Sequence, residues 1–250
     1  VTHWHYVDIP RNRNIQLPTP NTSDDLRDFE WMGIRKGGER WIAIQNDDTL
    51  GWVFTQWRPS PSTGQPFIKY AIDTPPTPGN FNPLGITNDK KGMVVSSRDQ
   101  SGSQPDQLNF YDYQGNLIRE AVCSDAPDRD NSRLTFLEHD YYVVAQEGGD
   151  TPWRLKVYDS NAELIRKHTL FGLGTLDSVR GITTDGKSFY ILHVRPSNHA
   201  FDGILRVDAR GQKIKQSWSP GDSKQYLNGI TFNGKYLITR IDEYIPPDPV

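Results

Sequence analysis

Gly181-Ile182-Thr183-Thr184-Asp185-Gly186-Lys187-Ser188-Phe189-Tyr190-Ile191, followed by Ile204-Leu205-Arg206-Val207-Asp208-Ala209-Arg210-Gly211-Gln212-Lys213-Ile214, is the stretch that decides the fold. Each half reads as two β-rich runs joined by a tight polar turn, so the whole is a four-stranded unit. The unit recurs. Gly85-Ile86-Thr87 leads to Phe110-Tyr111-Asp112, Leu134-Thr135-Phe136 leads to Val157-Tyr158-Asp159, and Gly229-Ile230-Thr231 opens a last hairpin. The Asp positions 112, 159 and 208 lie 47 and 49 residues apart, a period that means stacking of one small unit.

The last unit lacks its second half, and the first residues of the chain supply it. His5-Tyr6-Val7-Asp8, a polar turn and Ile15-Gln16-Leu17 match Leu205-Arg206-Val207-Asp208, its turn and Ile214-Lys215-Gln216. Counted through the termini, Asp208 and Asp8 are 50 residues apart, the same period again. Only a closed ring needs its two ends to share a sheet. The sequence therefore predicts an all-β, five-bladed β-propeller in one domain over residues 1–250, with residues 1–18 completing the C-terminal blade. Blade starts are expected near Gly33, Gly85, Leu134, Gly181 and Gly229. The first blade is the least regular, with strands expected over residues 40–45, 52–57 and 67–72.

Composition fits this class. Aromatic residues make up 11% of the chain, with 21 Gly and 18 Pro, as a turn-rich β protein requires. No apolar run reaches the roughly 20 residues needed to span a bilayer, so no membrane insertion is expected. A net charge of −3 with dispersed Lys and Arg gives no footprint for nucleic acid. Cys123 is alone and forms no internal disulfide, which leaves the redox compartment unread. The chain starts at Val1 without Met, which suits a mature or excised form, and Asn21-Thr22-Ser23 is a glycosylation triplet. The expected location is extracellular, on a cell surface or on a virion.

Connections between first and second strands, and between third and fourth, are short turns. Those on the other face are long: residues 19–29, 74–83, 98–107, 124–132, 146–152, 171–178, 195–203 and 219–226. Binding residues concentrate on loops held by a rigid scaffold, so the long-loop face is the expected binding face. The Pro- and Ser-rich loop 58–66 is the exception on the opposite side.

Recurrent residues read as architecture. The inner-strand glycines let strands crowd at the axis, and Asp8, Asp112, Asp159 and Asp208 organise turns. Trp4, Trp52 and Trp153 share one place in their blades and so read as packing. Residues that do not repeat are the site candidates. Those expected just before each inner-strand start are Met32, Leu84, Arg133, Arg180 and Asn228. Two arginines and an amide converging there suit a carboxylate, phosphate or sulfate, unless they pair with Glu30, Asp177 or Asp130 as a closed plug. Arg98, Glu147, Arg195 and Arg240 stand at the outer ends of second strands, and Trp31 beside an inner strand offers a stacking platform. The ligand-binding set is therefore Arg133, Arg180, Asn228, Glu30, Trp31, Arg98, Glu147 and Arg195.

No metal site or cofactor is expected. Two weaker patterns touch on metal: His3 and His5 beside Asp242 and Glu243, and Asp125, Asp128 and Asp130 as calcium ligands without the glycine and distal glutamate of an EF-hand loop. Nucleophile elbows, zincin motifs and phosphate loops are missing, so no catalytic residue is assigned. A carboxylate pair across the funnel, as five-bladed glycoside hydrolases use, has only Asp28 and Glu30 near an inner strand, with Glu147 or Asp242 facing them.

The Gly181 and Ile204 stretches resemble NHL-type and streptogramin-lyase-like propeller repeats, over blades two to five and poorly in blade one. That resemblance implies the ring. It also implies, for lyase members, a metal and a general base on the long-loop face, which no motif here matches. The function expected is a non-enzymatic, lectin-like recognition module for a glycan or protein partner. The alternatives are a glycan-active hydrolase or metal-dependent lyase at the channel mouth, and a structural subunit of an assembly.

Overall fold

The computed structural model describes residues 2–8, 13–17, 25–35, 38–47, 51–57, 70–72, 81–99, 101–125, 130–148, 151–195, 200–218 and 225–243, with side chains for a subset of these. They form five four-stranded antiparallel sheets. Blade one is β3 (Asp25–Arg35), β4 (Gly38–Asp47), β5 (Gly51–Trp57) and β6 (Tyr70–Ile72). Blade two is β7 (Phe81–Asn88), β8 (Met93–Asp99), β9 (Gln107–Tyr111) and β10 (Leu117–Val122). Blade three is β11 (Asp130–Leu137), β12 (Asp140–Gln146), β13 (Arg154–Tyr158) and β14 (Leu164–Thr169). Blade four is β15 (Ser178–Thr184), β16 (Phe189–Arg195), β17 (Ala200–Val207) and β18 (Lys213–Trp218).

Blade five closes the ring. Its order is β19 (Gln225–Phe232), β20 (Leu237–Glu243), β1 (Thr2–Asp8) and β2 (Arg13–Leu17), with Trp4 opposite Arg240 and Tyr6 opposite Ile238. Each inner strand touches the next around the axis, and β19 returns to β3. The all-β propeller and its closure by both termini are thus present as the repeat predicts.

Period-two alternation in the second strands holds the blades together. In β12, Val143 packs toward blade two and Val144 toward blade four; in β16, Ile191 packs toward blade three and Leu192 toward blade five. Both faces of these strands are covered, so they are apolar without a break, as Tyr141 to Ala145 are. Trp153, Leu155 and Phe189 lie in the interface of blades three and four, and burying each such side chain stabilises the fold by roughly 1.5–3 kcal/mol.

The repeated Asp residues build the turns between third and fourth strands. Asp112 Oδ1 accepts the N–H groups of Gln114 and Asn116, Asp159 Oδ1 those of Asn161 and Glu163, and Asp208 Oδ1 those of Arg210 and Gln212. One carboxylate thus replaces two backbone partners in each turn. The side chain of Asp8 and the loop 58–66 lie outside the described residues.

Candidate functional site

The inner-strand glycines mark one level of the central channel. A Cβ on Gly85 would sit 2.6 Å from Leu134 N and 3.1 Å from Arg133 Cα, and one on Gly181 would sit 2.9 Å from Ile230 N. On Gly229, at φ 70°, it would meet the Phe29 ring at 2.7 Å and Asp28 Oδ1 at 3.1 Å. Neighbours around the ring therefore correspond as Asp28, Gly85, Arg133, Gly181 and Gly229. The next residues, Phe29, Ile86, Leu134, Ile182 and Ile230, are all buried. The third members are Glu30, Thr87, Thr135, Thr183 and Thr231. Alternation turns the first and third members toward the channel, in two tiers.

This equivalence corrects two anchors taken from the sequence. Gly33 lies near the end of β3, and Asp28-Phe29-Glu30 occupies the place that Gly-Ile-Thr takes in blades two, four and five. In blade three the match is Arg133, one residue earlier than Leu134. Met32 and Arg133 consequently do not share a position with Leu84 and Arg180. Met32 packs into the interface of blades one and two, and Arg133 stands within the glycine tier.

Three glycines leave room for two side chains in that tier, and the acid Asp28 and the base Arg133 fill it. Both are buried, 2% and 3% exposed. Asp28 Oδ2 accepts the Ile86 N–H at 3.1 Å, and Arg133 Nη1 donates to the Leu84 carbonyl. Burial pushes the Asp28 carboxyl up to about 7, while the Arg133 charge and the N–H groups of Ile86 and Phe29 pull it back. The tier is a polar plug across the channel in which Asp28 faces Arg133; the side chain of Asp130, one of the expected partners, lies outside the described residues.

Below the plug the channel carries four threonines and Glu30. Glu30 Oε1 accepts from Thr231 Oγ1 at 2.7 Å and from Trp31 N at 3.0 Å. Burial and the nearby Asp28 charge raise its carboxyl to about 8, against the lowering effect of the Thr231 and Trp31 bonds. Burial thus favours the protonated form of Glu30, and with both donors aimed at Oε1 the oxygen that would carry the proton is Oε2.

Outward is an open recess of about 280 Å³. Glu30, Thr87, Thr135 and Thr183 supply hydroxyl-bearing groups, Trp31, Phe136 and Phe232 supply apolar surface, and Asn88 and Lys90 stand at the rim. Several of these, Asn88, Thr184 and Phe232 among them, end inner strands, so the recess opens on the short-turn side. The described geometry thus gathers its channel recess on the face opposite the long loops. Of the long loops, residues 101–104 wrap around Asp99, whose carboxylate receives the N–H groups of Ser101, Ser103 and Gln104. Asp177 likewise caps Gly174 N at 2.7 Å.

Of the eight residues singled out from sequence, Glu30 and Trp31 meet at the recess and Arg133 joins the plug. Arg180 sits at a register shift in β15, and Arg98 stands opposite Asn82 in blade two. Glu147 pairs with Lys167 at 2.7 Å and with the buried Lys156 at 3.6 Å, and the Lys167 contact holds its carboxyl low. Asn228 pairs with Arg240 and Arg195 with Ala200 along the backbone, but the side chains of Asn228 and Arg195 lie outside the described residues. Asp125 is engaged by Lys156 Nζ at 2.5 Å and Tyr158 Oη at 2.7 Å. Side chains of Asp128, Asp130, His3 and His5 lie outside the described residues, among which no group of three or more His, Cys, Asp or Glu could hold a metal. No described helix is long and apolar enough to cross a membrane. The threonine tier is not among the residues singled out from sequence, although the third residue of Gly-Ile-Thr, repeated three times, carries its signal.

No family model matches the chain, and no curated protein matches it. Among solved structures it is similar to an α-L-arabinofuranosidase from Podospora anserina in complex with cellotriose, at 10% identity and a TM-score of 0.49, over 91% of this chain and 94% of that one. The five-sheet ring stands on its own strand pairing.

Proposed function

We propose that this propeller is a glycan-recognition module that binds a sugar unit in the channel recess. The observation that carries the reading is Glu30. It is a buried carboxyl, raised toward its protonated form, in a tier of threonine hydroxyls beside the aromatic surface of Trp31, Phe136 and Phe232. A sugar ring needs apolar contact on one face and a mixture of donors and acceptors around its edge. A neutral carboxylic acid supplies one donor and one acceptor without the desolvation cost of a buried charge. The resemblance to NHL-type repeats supports the ring and carries no activity.

Glycan hydrolysis is the second reading, favoured by two neighbouring carboxyl groups that burial raises above the ordinary carboxylate range. Asp28, however, is sealed in the plug at 2% exposure and out of reach of a substrate. The test is calorimetric binding of an oligosaccharide panel from about pH 6 to about pH 9.5, with product analysis alongside. Affinity should fall as Glu30 ionises near pH 8. Glu30→Gln, which imitates the protonated acid, should bind with a flat pH profile, and Glu30→Ala should lose binding. Unchanged affinity in Glu30→Ala would remove the channel from consideration. Products released by the wild type and lost in Glu30→Gln would favour the hydrolase.

A further inference from the structure

We propose that the recess continues into the groove between blades two and three, and that the two together hold a linear acidic oligosaccharide, its following units set against Lys90 and Lys91. This deepens the channel reading and rests on it. Continuity is the first support. Lys90 and Phe136 line both the recess and an adjoining hollow of about 350 Å³, and that hollow shares Asp89, Lys91, Tyr141 and Ser160 with a further one of about 190 Å³. One trough therefore leads from the channel mouth across the short-turn face.

Backbone conformation is the second. The turns between first and second strands in blades four and five place glycines at positive φ, Gly186 at 86° and Gly234 at 90°. Blades two and three put Lys90, at 70°, and Glu138, at 60°, in that left-handed region, where a side chain is strained and glycine is not. The strained turn is held from both sides. Asn88 Oδ1 accepts from Lys90 N at 2.9 Å and from Tyr113 Oη at 2.6 Å, and Asp89 Oδ2 accepts from Tyr141 Oη of blade three at 2.8 Å. Two lysines are thus presented from a fixed backbone at the wall of the trough.

Charge is the third. Asp89 is committed to Tyr141 and to the N–H groups of Lys91 and Gly92. Lys90 and Lys91 are exposed and make no ion pair among the described residues. Arg119, stacked 4.1 Å over the Phe110 ring and bonded to the Ser160 carbonyl, adds a third cation, so three cations stand in the trough against the carboxylates of Asp89 and Glu138. Carboxylate or sulfate groups on successive sugars match ammonium groups so placed, while the aromatic floor of Phe136 and Tyr141 accepts the rings.

The experiment titrates the whole chain with neutral, uronate-bearing and sulfated oligosaccharides of one to six units, in wild type, Lys90→Gly and the Lys90→Ala/Lys91→Ala double variant. Acidic oligomers should gain about tenfold or more in affinity over a single unit, lost with added salt and in the double variant. Preference for uronates or for sulfates identifies the source of the charge. Lys90→Gly should keep or raise the melting temperature while losing affinity for acidic oligomers, which separates strain kept for binding from a folding defect. Neutral and acidic oligomers binding alike, or Lys90→Gly binding as wild type, would overturn the trough while leaving the channel reading standing. Failure of every sugar, single units included, would overturn the channel reading and the trough with it.

Discussion

Asp28-Phe29-Glu30 in blade one and Gly181-Ile182-Thr183 in blade four occupy one place in the ring, yet one carries two buried acids and the other none. In both, the middle residue is buried and seals the gap to a neighbouring blade. The outer two face the channel. In blade four they are small and hydroxylic, which is what close packing at the axis demands. In blade one they are ionisable, and burial raises both carboxyls above the ordinary carboxylate range. Features shared by five blades build the ring, and the departures in single blades are where chemistry was added.

Exchanging features between the two blades should hurt most where space is least. Gly181→Asp brings a Cβ to 2.9 Å from Ile230 N, backbone that cannot retreat, and should cost about 3 kcal/mol or more in urea unfolding. Asp28→Gly makes blade one resemble blade four but removes the acid that interacts electrostatically with the buried Arg133. A loss of roughly 3 kcal/mol is expected, partly restored by adding Arg133→Gly, and a double-mutant cycle with no coupling would mean the plug is not a pair.

Glu30→Thr should change the pH dependence more than the fold. The Glu30 carboxyl is raised from 4.5 to about 8 on folding, so its contribution to stability is full below pH 4.5 and is lost as pH rises through about 8. Asp28, raised from 3.8 to about 7, acts in the same direction. Thermal melts should therefore show the wild type weakening across that window, and Glu30→Thr weakening less because one proton has been removed from the linkage. Asp208→Ala touches only an exposed turn, where one oxygen receives two N–H groups, and should cost about 1 kcal/mol with sugar binding unchanged.

The closed ring was legible because the Asp turns are local chemistry, repeated where the chain repeats. Blade one was not, because Gly33-Ile34 imitates the start signal while the true equivalent, Asp28-Phe29-Glu30, shares no residue with it. Equivalence at the axis is set by which backbone touches which across the ring, and single-sequence spacing does not record that. Glu30 and Trp31 were within reach as departures from the repeat. The threonine tier is hidden for the opposite reason: it repeats, and a repeated residue in a repeat protein carries the same signal whether it packs or binds. Lys90 could have been suspected from its turn, where blades four and five have glycine, but its link to the recess depends on how two neighbouring blades pack.

The most direct test is a carbon-13 NMR titration of the Glu30 carboxyl, assigned by comparison with Glu30→Gln, without and with saturating oligosaccharide. A midpoint near 8, moving higher when sugar binds, is the predicted result, because a ligand that accepts the Oε2 proton must favour the acid form. A midpoint near the ordinary 4.5, indifferent to sugar, would contradict a neutral Glu30 as the centre of the site.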